Sequence, residues 1–548
     1  MSRGQRSCMT ALAPRVARPS LLLLLLLLLA LAVAAPAARA DDALRRVRAK
    51  NEILIATDAT YPPFEFVEND ALTGFDIELG KAIGEEIGVP VRFESLEWAG
   101  VLASVETGKC DLAMSGITIT EERKKGGYAF SRPYFLSGQV IVRRKGDARV
   151  SGPDAVVRGG LTAAVQQETT GQFALEKRGM PADRIHRFDA LQDALLDVRN
   201  GKSDAAVGDL PALAEMLRKG YAELEILPGD PFVDEYLGIA AHKDSRDLVA
   251  AVNRALERLL VSGRYAALYE KWMQTPLPLS DVAKLAAAAG EGTAIPAEIA
   301  ARVAAGATEA ADADGAPDLA APPTGSSLAI RPDVLRTALP VLLRGAVVTL
   351  ELTTLTLLIG VPLGLLIALA RISGFALLRL PATGYVEAVR GTPLLMQIYV
   401  IYFVLPAVGV SVPPFVAGVM ALSLNAAAYV SEIFRAGIES IDSGQMEAAR
   451  ALGMTGGQAM RHVLLPQTVR RVLPPLTNEA VALLKDSSLV SVVALAELMR
   501  RGKELAGTSA APTTIFLAVA LLYLAMTLPL TSLVRYLEFR WQPVRRTR

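Results

Sequence analysis

The chain has 548 residues, of which 52% are hydrophobic and 21% charged, and its formal net charge is +1. One hydrophobic core rarely serves more than ~250–300 residues, so several domains are expected. The apolar content excludes a wholly disordered chain. The basic residues flank apolar segments and form no patch interleaved with aromatic residues, which argues against a nucleic acid partner. Three His and two Cys without metal-ligand spacing predict no metal site.

Charge divides the chain into two unlike parts. Residues 331–548 hold 20 Lys and Arg against 12 Asp and Glu, whereas the rest of the chain has an acidic excess. Residues 1–40 have the features of a secretory signal peptide, because arginines precede an apolar run and Ala38-Arg39-Ala40 supplies small residues for cleavage. An uncleaved signal anchor is the alternative. In either case the segment after residue 41 is expected outside the membrane.

Residues 41–276 alternate short β-branched segments with helical patterns, which indicates an α/β fold with a parallel-rich sheet. The predicted strands are Ile53–Thr57, Val91–Ser95, Asp111–Ser115, Gln139–Arg143, Thr162–Gln166, Ala205–Gly208 and Leu237–Ala241. The predicted helices are Phe75–Ile87, Ala99–Thr107, Leu191–Asn200 and Leu248–Ser262. Ligands of such folds bind beyond the carboxyl ends of the strands, so the candidate site lies in the loops found there.

These loops carry the side chains of a small-molecule site. The candidate ligand-binding residues are Asp58, Tyr61, Trp98, Ser115, Gly116, Thr118, Arg123, Gln166, Thr169, Thr170 and Asp209. Arg123 can pair bidentately with a carboxylate, and Asp209 suits an ammonium group. Tyr61 and Trp98 offer aromatic faces to an apolar stem or a cation. The set describes a pocket for an α-amino acid, although each member alone also fits a surface charge, a helix cap or core packing.

Three runs of sequence resemble the polar amino acid-binding proteins of ABC importers. They are TDATYPPFEF at 57–66, SGITITEERKK at 115–125 and SRPY at 131–134, and the resemblance covers about residues 45–275. It implies a bilobal periplasmic-binding-protein fold of type II. One lobe would comprise 44–134 with 234–276, and the inserted lobe 135–233. Two crossover strands would form the hinge.

The same resemblance assigns a role to each pocket residue. Arg123 takes the ligand carboxylate, Asp209 the α-ammonium group, and Asp58 faces the ligand side chain. Tyr61 and Trp98 enclose the ligand, while Gly116, Thr118 and Thr169 or Thr170 assist Arg123. Gln166 stands where glutamine-binding members commonly place a Lys, and Glu168 stands where Gly is frequent. The preference therefore stays open between glutamine or asparagine and a cationic amino acid.

Residues 277–332 are rich in Ala, Gly and Pro and predict a flexible linker, with some helix near 295–305. After it the chain alternates apolar segments with short polar loops. Each segment is long enough to cross a hydrocarbon core of ~30 Å. The predicted spans are about 344–370, 394–411, 415–434, 473–495 and 513–534. Arginines in the loops after the first and third spans and in the C-terminal tail place those parts in the cytoplasm, and Arg500-Arg501-Gly502-Lys503 is an exception.

Two motifs in this part resemble the permeases of polar amino acid importers, of the histidine/glutamine type. They are RGTPLL at 390–395 and the EAA loop at 447–467, and the resemblance covers about 335–540. It implies an all-α permease domain at 333–548 and a loop that docks on an ATPase. The expected coupling residues are Glu447, Ala448, Ala449, Gly453 and Pro466. An amphipathic interfacial helix is the alternative.

Polar residues inside membrane spans are costly and often mark a transport path. Asn425, Glu479 and Asp486 are therefore the candidate residues of a translocation path. The alternative is that Asp486 and the neighbouring Lys485 lie at the membrane surface or pair locally.

These observations predict a transport protein rather than an enzyme. No GxxxxGK[ST] phosphate loop occurs, so ATP is expected at a separate ATPase subunit and this chain is expected to bind no cofactor. The predicted function is capture of a polar L-amino acid outside a bacterial inner membrane and its inward transport. One permease domain per chain implies a homodimer in the lipid bilayer. A ligand-gated channel and a membrane-tethered amino acid sensor are the alternatives.

Overall fold

The computed structural model describes residues 42–68, 70–288, 330–493, 495–509 and 511–541. The predicted signal peptide at 1–40 and most of the predicted linker, including the helix expected near 295–305, lie outside the described residues.

The N-terminal domain is built from short strands and helices. Its strands in chain order are β1 (Ile53–Thr57), β2 (Thr60–Tyr61), β3 (Glu65–Glu68), β4 (Ala71–Thr73), β5 (Val91–Ser95), β6 (Leu112–Ala113), β7 (Tyr128–Phe130), β8 (Phe135–Arg144), β9 (Ala163–Gln166), β10 (Ile185–Phe188), β11 (Ala205–Asp209), β12 (Leu224–Ile226), β13 (Val233–Leu237) and β14 (Ala240–His242). Its helices are α1 (Ala43–Lys50), α2 (Phe75–Ile87), α3 (Trp98–Glu106), α4 (Glu121–Lys125), α5 (Pro153–Arg158), α6 (Thr170–Lys177), α7 (Leu191–Arg199), α8 (Leu210–Gly220), α9 (Arg246–Val261), α10 (Arg264–Met273) and α11 (Leu279–Ala288).

The strands form two main sheets, one in each lobe. The first has the order β5-β1-β6-β14-β7, and the second has the order β10-β9-β11-β8-β12 with β13 also paired to β8. β1 runs parallel to β5 and β6, and β9 runs parallel to β10 and β11. The predicted bilobal α/β fold is therefore confirmed. Ligand loops of both lobes follow the carboxyl ends of these parallel strands.

The paired strands β8 and β13 occupy the position predicted for the hinge. Their antiparallel ladder runs from Val233 opposite Gln139 to Leu237 opposite Phe135. The predicted division assigned 234–276 to the first lobe. Residues 234–237 instead belong to the sheet of the second lobe, because their backbone groups are satisfied by β8.

The first lobe is held by a core rich in aromatic side chains. Phe64, Phe75 and Tyr265 are at most 1% exposed, and Phe75 contacts the ring of Phe64 edge-on. Helix α2 buries its apolar positions against this core and ends at Gly88, whose φ of +80° is left-handed. Full burial of each such side chain contributes about 1.5–3 kcal/mol. The loops around the site are therefore attached to a closely packed core.

The C-terminal domain is helical. Its helices are α12 (Pro332–Ile372), α13 (Ala376–Arg390), α14 (Leu394–Tyr399), α15 (Pro414–Glu439), α16 (Ser443–Ala451), α17 (Gly456–Ala459), α18 (Leu465–Asp486), α19 (Leu498–Ser509) and α20 (Pro512–Trp541). Two short segments are 3₁₀ helices, Leu405–Val408 and Ser487–Val493. Two others are π-helices, Val400–Val404 and Met460–Leu464.

Among the described residues, three helices are long and apolar enough to cross a membrane: Pro332–Ile372, Pro414–Glu439 and Pro512–Ser532. The second predicted span corresponds to the shorter apolar helix Leu394–Val404. The fourth was predicted at 473–495, but helix α18 covers Leu465–Asp486 and a 3₁₀ segment follows it. Charged and polar residues in α18 lower its apolarity, so its limits could not be found from hydropathy.

Helices α12 and α15 pack closely because small residues lie between them. A Cβ atom added to Gly364 would come within 2.6 Å of Val430 Cγ1, and one added to Gly360 within 3.0 Å of Ala426 Cβ. Small residues at such contacts allow two helix backbones to approach in a membrane. This pair forms the centre of the permease domain.

The N-terminal domain packs against one end of the permease domain. A shared apolar cluster contains Leu96, Val101 and Val105 of the binding domain with Tyr402 and Val490 of the permease. Lys109 Nζ also donates to the carbonyl oxygen of Val412, at 2.8 Å. The start of α15, at Pro414, therefore lies on the side of the binding domain.

Candidate functional site

A narrow cavity of about 20 Å³ lies between the two lobes. All eleven residues predicted for the ligand site line it. They are Asp58, Tyr61, Trp98, Ser115, Gly116, Thr118, Arg123, Gln166, Thr169, Thr170 and Asp209. Residues far apart in sequence meet here because each follows a strand at the same edge of its sheet or starts a helix beside it.

Asp58 provides a buried carboxylate at the end of β1. Its Oδ1 accepts from Thr60 Oγ1 at 3.0 Å, and its backbone N–H donates to Ser115 Oγ at 3.0 Å. Burial raises the pKa of Asp58 to about 6, although the Arg500 guanidinium opposes this rise. A carboxylate that is buried away from water is stabilised when a cation pairs with it.

Arg123 is positioned by its own short helix. Thr120 caps α4 by accepting from the Arg123 backbone N–H at 3.1 Å, and Arg123 Nη1 donates to the carbonyl of Thr118 at 2.8 Å. The guanidinium carbon lies 5.5 Å from the centre of the Trp98 ring. Burial lowers the pKa of Arg123, while Glu235 and Asp209 act in the opposite direction. The group stays cationic and suits a carboxylate.

Gly116 has a left-handed φ of +54°, which glycine adopts without strain. A Cβ atom there would lie 3.1 Å from Tyr61 Cε1, so a side chain would also crowd the cavity wall. The Gly116 N–H donates to Asp76 Oδ2 at 3.0 Å, and the Tyr134 hydroxyl donates to the same oxygen at 2.7 Å. Asp76 therefore anchors the loop that carries Ser115 and Thr118.

Asp209 faces the cavity from the second lobe. The Tyr61 hydroxyl donates to Asp209 Oδ2 across the cleft, and Gln139 Nε2 donates to Oδ1 at 2.9 Å. Gln139 Nε2 also donates to Glu235 Oε2 at 3.0 Å, which joins the two acids. Burial, and then the charge of Glu235, raise the pKa of Asp209 well above its usual range. An ammonium group would relieve the repulsion between these carboxylates.

Thr169 and Thr170 lie at the start of helix α6. Thr170 Oγ1 is 3.4 Å from Thr118 Oγ1 of the first lobe, so the lobes approach each other here. Gln166 is buried and its Nε2 donates to the backbone oxygen of Asp189, at 3.0 Å. The Glu168 side chain is exposed and does not line the cavity, although its backbone oxygen accepts from Trp98 Nε1 at 3.4 Å. Of the two acids expected near a cationic side chain, only Asp58 faces the cavity.

Sequence reasoning missed Glu65, Asp76, Gln139 and Glu235. Each is buried and each bonds to a residue of the cavity wall or its loop. Polar residues at inward-facing positions of strands were the available signal, because a buried polar group needs a partner. Glu235 is 3% exposed in the middle of β13 and is the clearest case.

In the permease domain, the predicted path residues lie on two helices, α15 and α18. Asn425 Nδ2 donates to Gln397 Oε1 at 3.1 Å between two helices. Glu479 and Asp486 are half-buried and lie seven residues apart on α18, which places them on one face. Their role in transport stays a prediction.

The predicted coupling residues lie on helix α16, in the turn that follows it and at the start of α18. Asp442 Oδ1 caps α16 by accepting from the Gly444 N–H, at 2.7 Å. Glu447 and Ala448 are exposed, whereas Ala449 is buried against the domain. Gly453 has a left-handed φ of +82°, and Pro466 occupies the first turn of α18. The exposed face is available to another subunit.

The basic segment Arg500-Arg501-Gly502-Lys503, which was the exception to the charge pattern of the loops, contacts the binding domain. Arg501 Nη2 pairs with Asp70 Oδ1 at 3.0 Å, and Lys503 Nζ with Glu97 Oε1 at 2.6 Å. The neighbouring Arg500 is only 1% exposed and lies 3.8 Å from Asp58 Oδ1. The acidic excess of the binding domain therefore explains a basic segment on this side.

Fold and site together define a two-lobed solute-binding domain joined to a helical permease domain. The family described as "Bacterial extracellular solute-binding proteins, family 3" matches residues 53–275. The family described as "Binding-protein-dependent transport system inner membrane component" matches residues 360–543.

The chain is similar to permease proteins and, among solved structures, to an amino acid-binding protein. The probable glutamine ABC transporter permease protein GlnM of Bacillus subtilis is 43% identical over 178 residues, which is 32% of this chain and 82% of the relative. The arginine transport system permease protein ArtQ of the same species is 39% identical over 201 residues, or 36% of this chain and 92% of the relative. The arginine-, lysine-, histidine-binding protein ArtJ of Geobacillus stearothermophilus is 32% identical, with 43% of this chain and 99% of that chain covered and a TM-score of 0.40.

The chain belongs to the amino acid permeases of ABC importers, and it carries the solute-binding domain in the same polypeptide. The predicted family is confirmed, as is the prediction of a transport protein rather than an enzyme. The relatives favour neither a ligand-gated channel nor a membrane-tethered sensor.

Proposed function

We propose that this importer chain captures a cationic L-amino acid, with arginine as the first candidate. The observation that carries the proposal is the Asp58 carboxylate, which is 4% exposed and lines the cavity between the lobes. The Arg500 guanidinium lies 3.8 Å from Asp58 Oδ1, beyond hydrogen-bond distance, so a cationic ligand can still bond to this carboxylate. Permeases named for arginine and for glutamine both occur among the relatives, so glutamine is the competing substrate.

The other cavity residues would bind the invariant part of the amino acid. Arg123 would take the α-carboxylate, helped by the Gly116 and Thr118 loop and by the start of α6 at Thr169 and Thr170. Asp209, joined to Glu235 through Gln139, would take the α-ammonium group. Tyr61 and Trp98 would cover the ligand stem, with Ser115 holding Asp58 in place.

The test is titration calorimetry of the full chain in lipid nanodiscs against L-arginine, L-lysine, L-histidine and L-glutamine. We expect the cationic amino acids to bind more tightly than glutamine. Asp58→Asn should abolish this preference and retain binding of glutamine, because the neutral amide no longer attracts a cation. A wild-type preference for glutamine would overturn the proposal of a cationic substrate.

Transport would require a separate ATPase subunit bound at α16 and its turn, with Glu447, Ala448, Ala449, Gly453 and Pro466 at the contact. Two copies of the chain would form the translocation path, lined by Asn425, Glu479 and Asp486. Reconstitution in proteoliposomes with the ATPase tests this arrangement. Uptake of labelled amino acid should need ATP on the side of α16, and crosslinking should give a dimer of this chain.

The proposed topology has five spans in a bacterial inner membrane. The binding domain would lie outside, and the EAA loop and the C-terminus in the cytoplasm. Single introduced cysteines test it: Ser411→Cys should react with an impermeant maleimide in intact cells. Gly457→Cys should react only after permeabilisation. The reverse pattern, or equal labelling, would contradict the topology.

A further inference from the structure

Arg500 of the permease domain is almost fully buried at the edge of the ligand site. Its Nη2 donates to the backbone oxygen of Leu96 at 3.0 Å and to Ser95 Oγ, and its Nε donates to Glu504 Oε1 at 3.1 Å. Ser95 is the last residue of β5 and Leu96 follows it, beside the loop of Asp58. A permease side chain thus reaches the strand ends from which the ligand cavity is built.

The same guanidinium approaches the carboxylate that faces the cavity. Arg500 Nη2 lies 3.8 Å from Asp58 Oδ1, and both side chains are at most 6% exposed. Asp58 lines the ligand cavity, whereas Arg500 does not. Asp58 is therefore shared between a permease cation on one side and the bound molecule on the other.

We propose that Arg500 is a specificity-determining residue that weakens binding of cationic amino acids when the binding domain is docked on the permease. This inference rests on the proposed function, since it concerns the charge of the ligand side chain at Asp58. In the docked arrangement Arg500 offsets the charge of Asp58, so that less of this charge acts on a cationic ligand. In the undocked arrangement the full charge of Asp58 is left for the ligand.

Thermodynamic linkage requires that docking and ligand binding affect each other equally. If docking weakens ligand binding by some factor, then ligand binding weakens docking by the same factor. Coupling of this kind between two sites changes the affinity at each site about 5–150-fold. A neutral ligand of the same shape has no charge to compete for Asp58 and should escape the effect.

A second cavity lies where a released ligand would pass. It has a volume of about 380 Å³ between the binding domain and the permease, and Trp98 lines both cavities. Glu97 and Asp189 of the binding domain face it together with Ser488 and Ser491 of the permease. Lys503 also lines this cavity and pairs with Glu97, so Asp189 and the two serine hydroxyls are the groups that a cationic amino acid released from Asp58 can contact.

The test compares L-arginine with L-citrulline, which has the same shape but a neutral side chain. Both are titrated into the full chain in lipid nanodiscs, for the wild type, Arg500→Gln and Arg501→Gln. Arg501 is the matched control, because it lies on the same helix and pairs with Asp70 rather than Asp58. Arg500→Gln should raise the ratio of arginine to citrulline affinity about tenfold. Arg501→Gln should leave this ratio unchanged.

A double variant shows whether the effect passes through Asp58. In an Asp58→Asn background, Arg500→Gln should have no further effect on the affinity ratio. An unchanged ratio in Arg500→Gln alone, with both ligands still bound, would overturn the inference and leave the proposed function standing. Absence of binding by either ligand in the wild type would overturn both.

Discussion

Two short helices join the long helices of the permease domain, and they differ in what their charged residues contact. On α19, Arg500, Arg501 and Lys503 all pair with acids, and each of them reaches an acid of the binding domain. On α16, Glu447 and Arg450 are exposed, and the adjacent Leu452 is 80% exposed. The 26 residues of α15 separate the two sides by about 39 Å, at 1.5 Å per residue.

The difference between α19 and α16 indicates which of the two surfaces already has its binding partner within the chain. The charges of α19 are satisfied by the fused domain, as expected where two domains pack in one polypeptide. The exposed side chains of α16, with a large apolar residue among them, are typical of a surface that binds another subunit. Four experiments would sharpen or break this comparison.

The largest effect is expected at the ligand site itself. Arg123→Ala removes the guanidinium proposed to bind the ligand carboxylate, and loss of a buried charged partner costs about 2–5 kcal/mol. Affinity for the amino acid should fall about 100-fold in calorimetry. Arg123→Lys should restore only part of it, because an ammonium group cannot bind bidentately. Unchanged affinity in Arg123→Ala would contradict the assigned role.

The next effect concerns α16. Glu447→Gln removes an exposed charge from the proposed ATPase contact, so transport in proteoliposomes should fall about tenfold while ligand affinity stays unchanged. Glu439→Gln is the control, since it removes a carboxylate from the neighbouring end of α15. Equal losses in both variants would show that α16 has no special role.

An effect of pH is expected through Asp58, whose pKa is raised to about 6 by burial. Only the ionised carboxylate attracts a cation, so affinity for arginine should weaken as pH falls through 6. The loss should approach tenfold for each pH unit below that value. Citrulline serves as the reference ligand, because it shares every other titrating contact. Asp58→Asn should remove the difference between the two ligands, and a difference that persists would assign it elsewhere.

The smallest effect is expected at the rim of the domain contact. Asp70 pairs with Arg344 and Arg501, and both arginines belong to the permease domain. Partly exposed ion pairs contribute about 0–1 kcal/mol, so Asp70→Asn should weaken docking at most a few-fold. Crosslinking between the domains at rising salt concentration measures this. A complete loss of docking would show that the ion pairs, rather than the apolar cluster around Tyr402, hold the domains together.

The eleven residues predicted from the sequence line one cavity, because the motifs place their loops at strand ends. Ile53–Thr57, Val91–Ser95 and Phe75–Ile87 have the predicted limits, since β-branched runs and a glycine stop define them locally. The partners of those loops were not visible. Gln139 and Glu235 act through long-range pairing: the pairing of β8 with β11 places Gln139 opposite Asp209, and the pairing of β8 with β13 adds Glu235 on the other side of β8.

The permease was harder to predict for a different reason. Hydropathy finds helices that are apolar all round, such as Pro332–Ile372, but α18 carries Glu479, Lys485 and Asp486. Its limits depend on packing against its neighbours. The position of Arg500 depends on how two domains meet, which no local pattern in either domain encodes.

Trp98 lines the ligand cavity and the second cavity, and the Arg123 guanidinium lies over its ring. The other two tryptophans of the chain are Trp272 and Trp541. Indole emission responds to nearby charge and to water, so this ring is a built-in optical probe. In a chain with phenylalanine at positions 272 and 541, one fluorophore would report both the filling of the first cavity and passage into the second, without any attached dye.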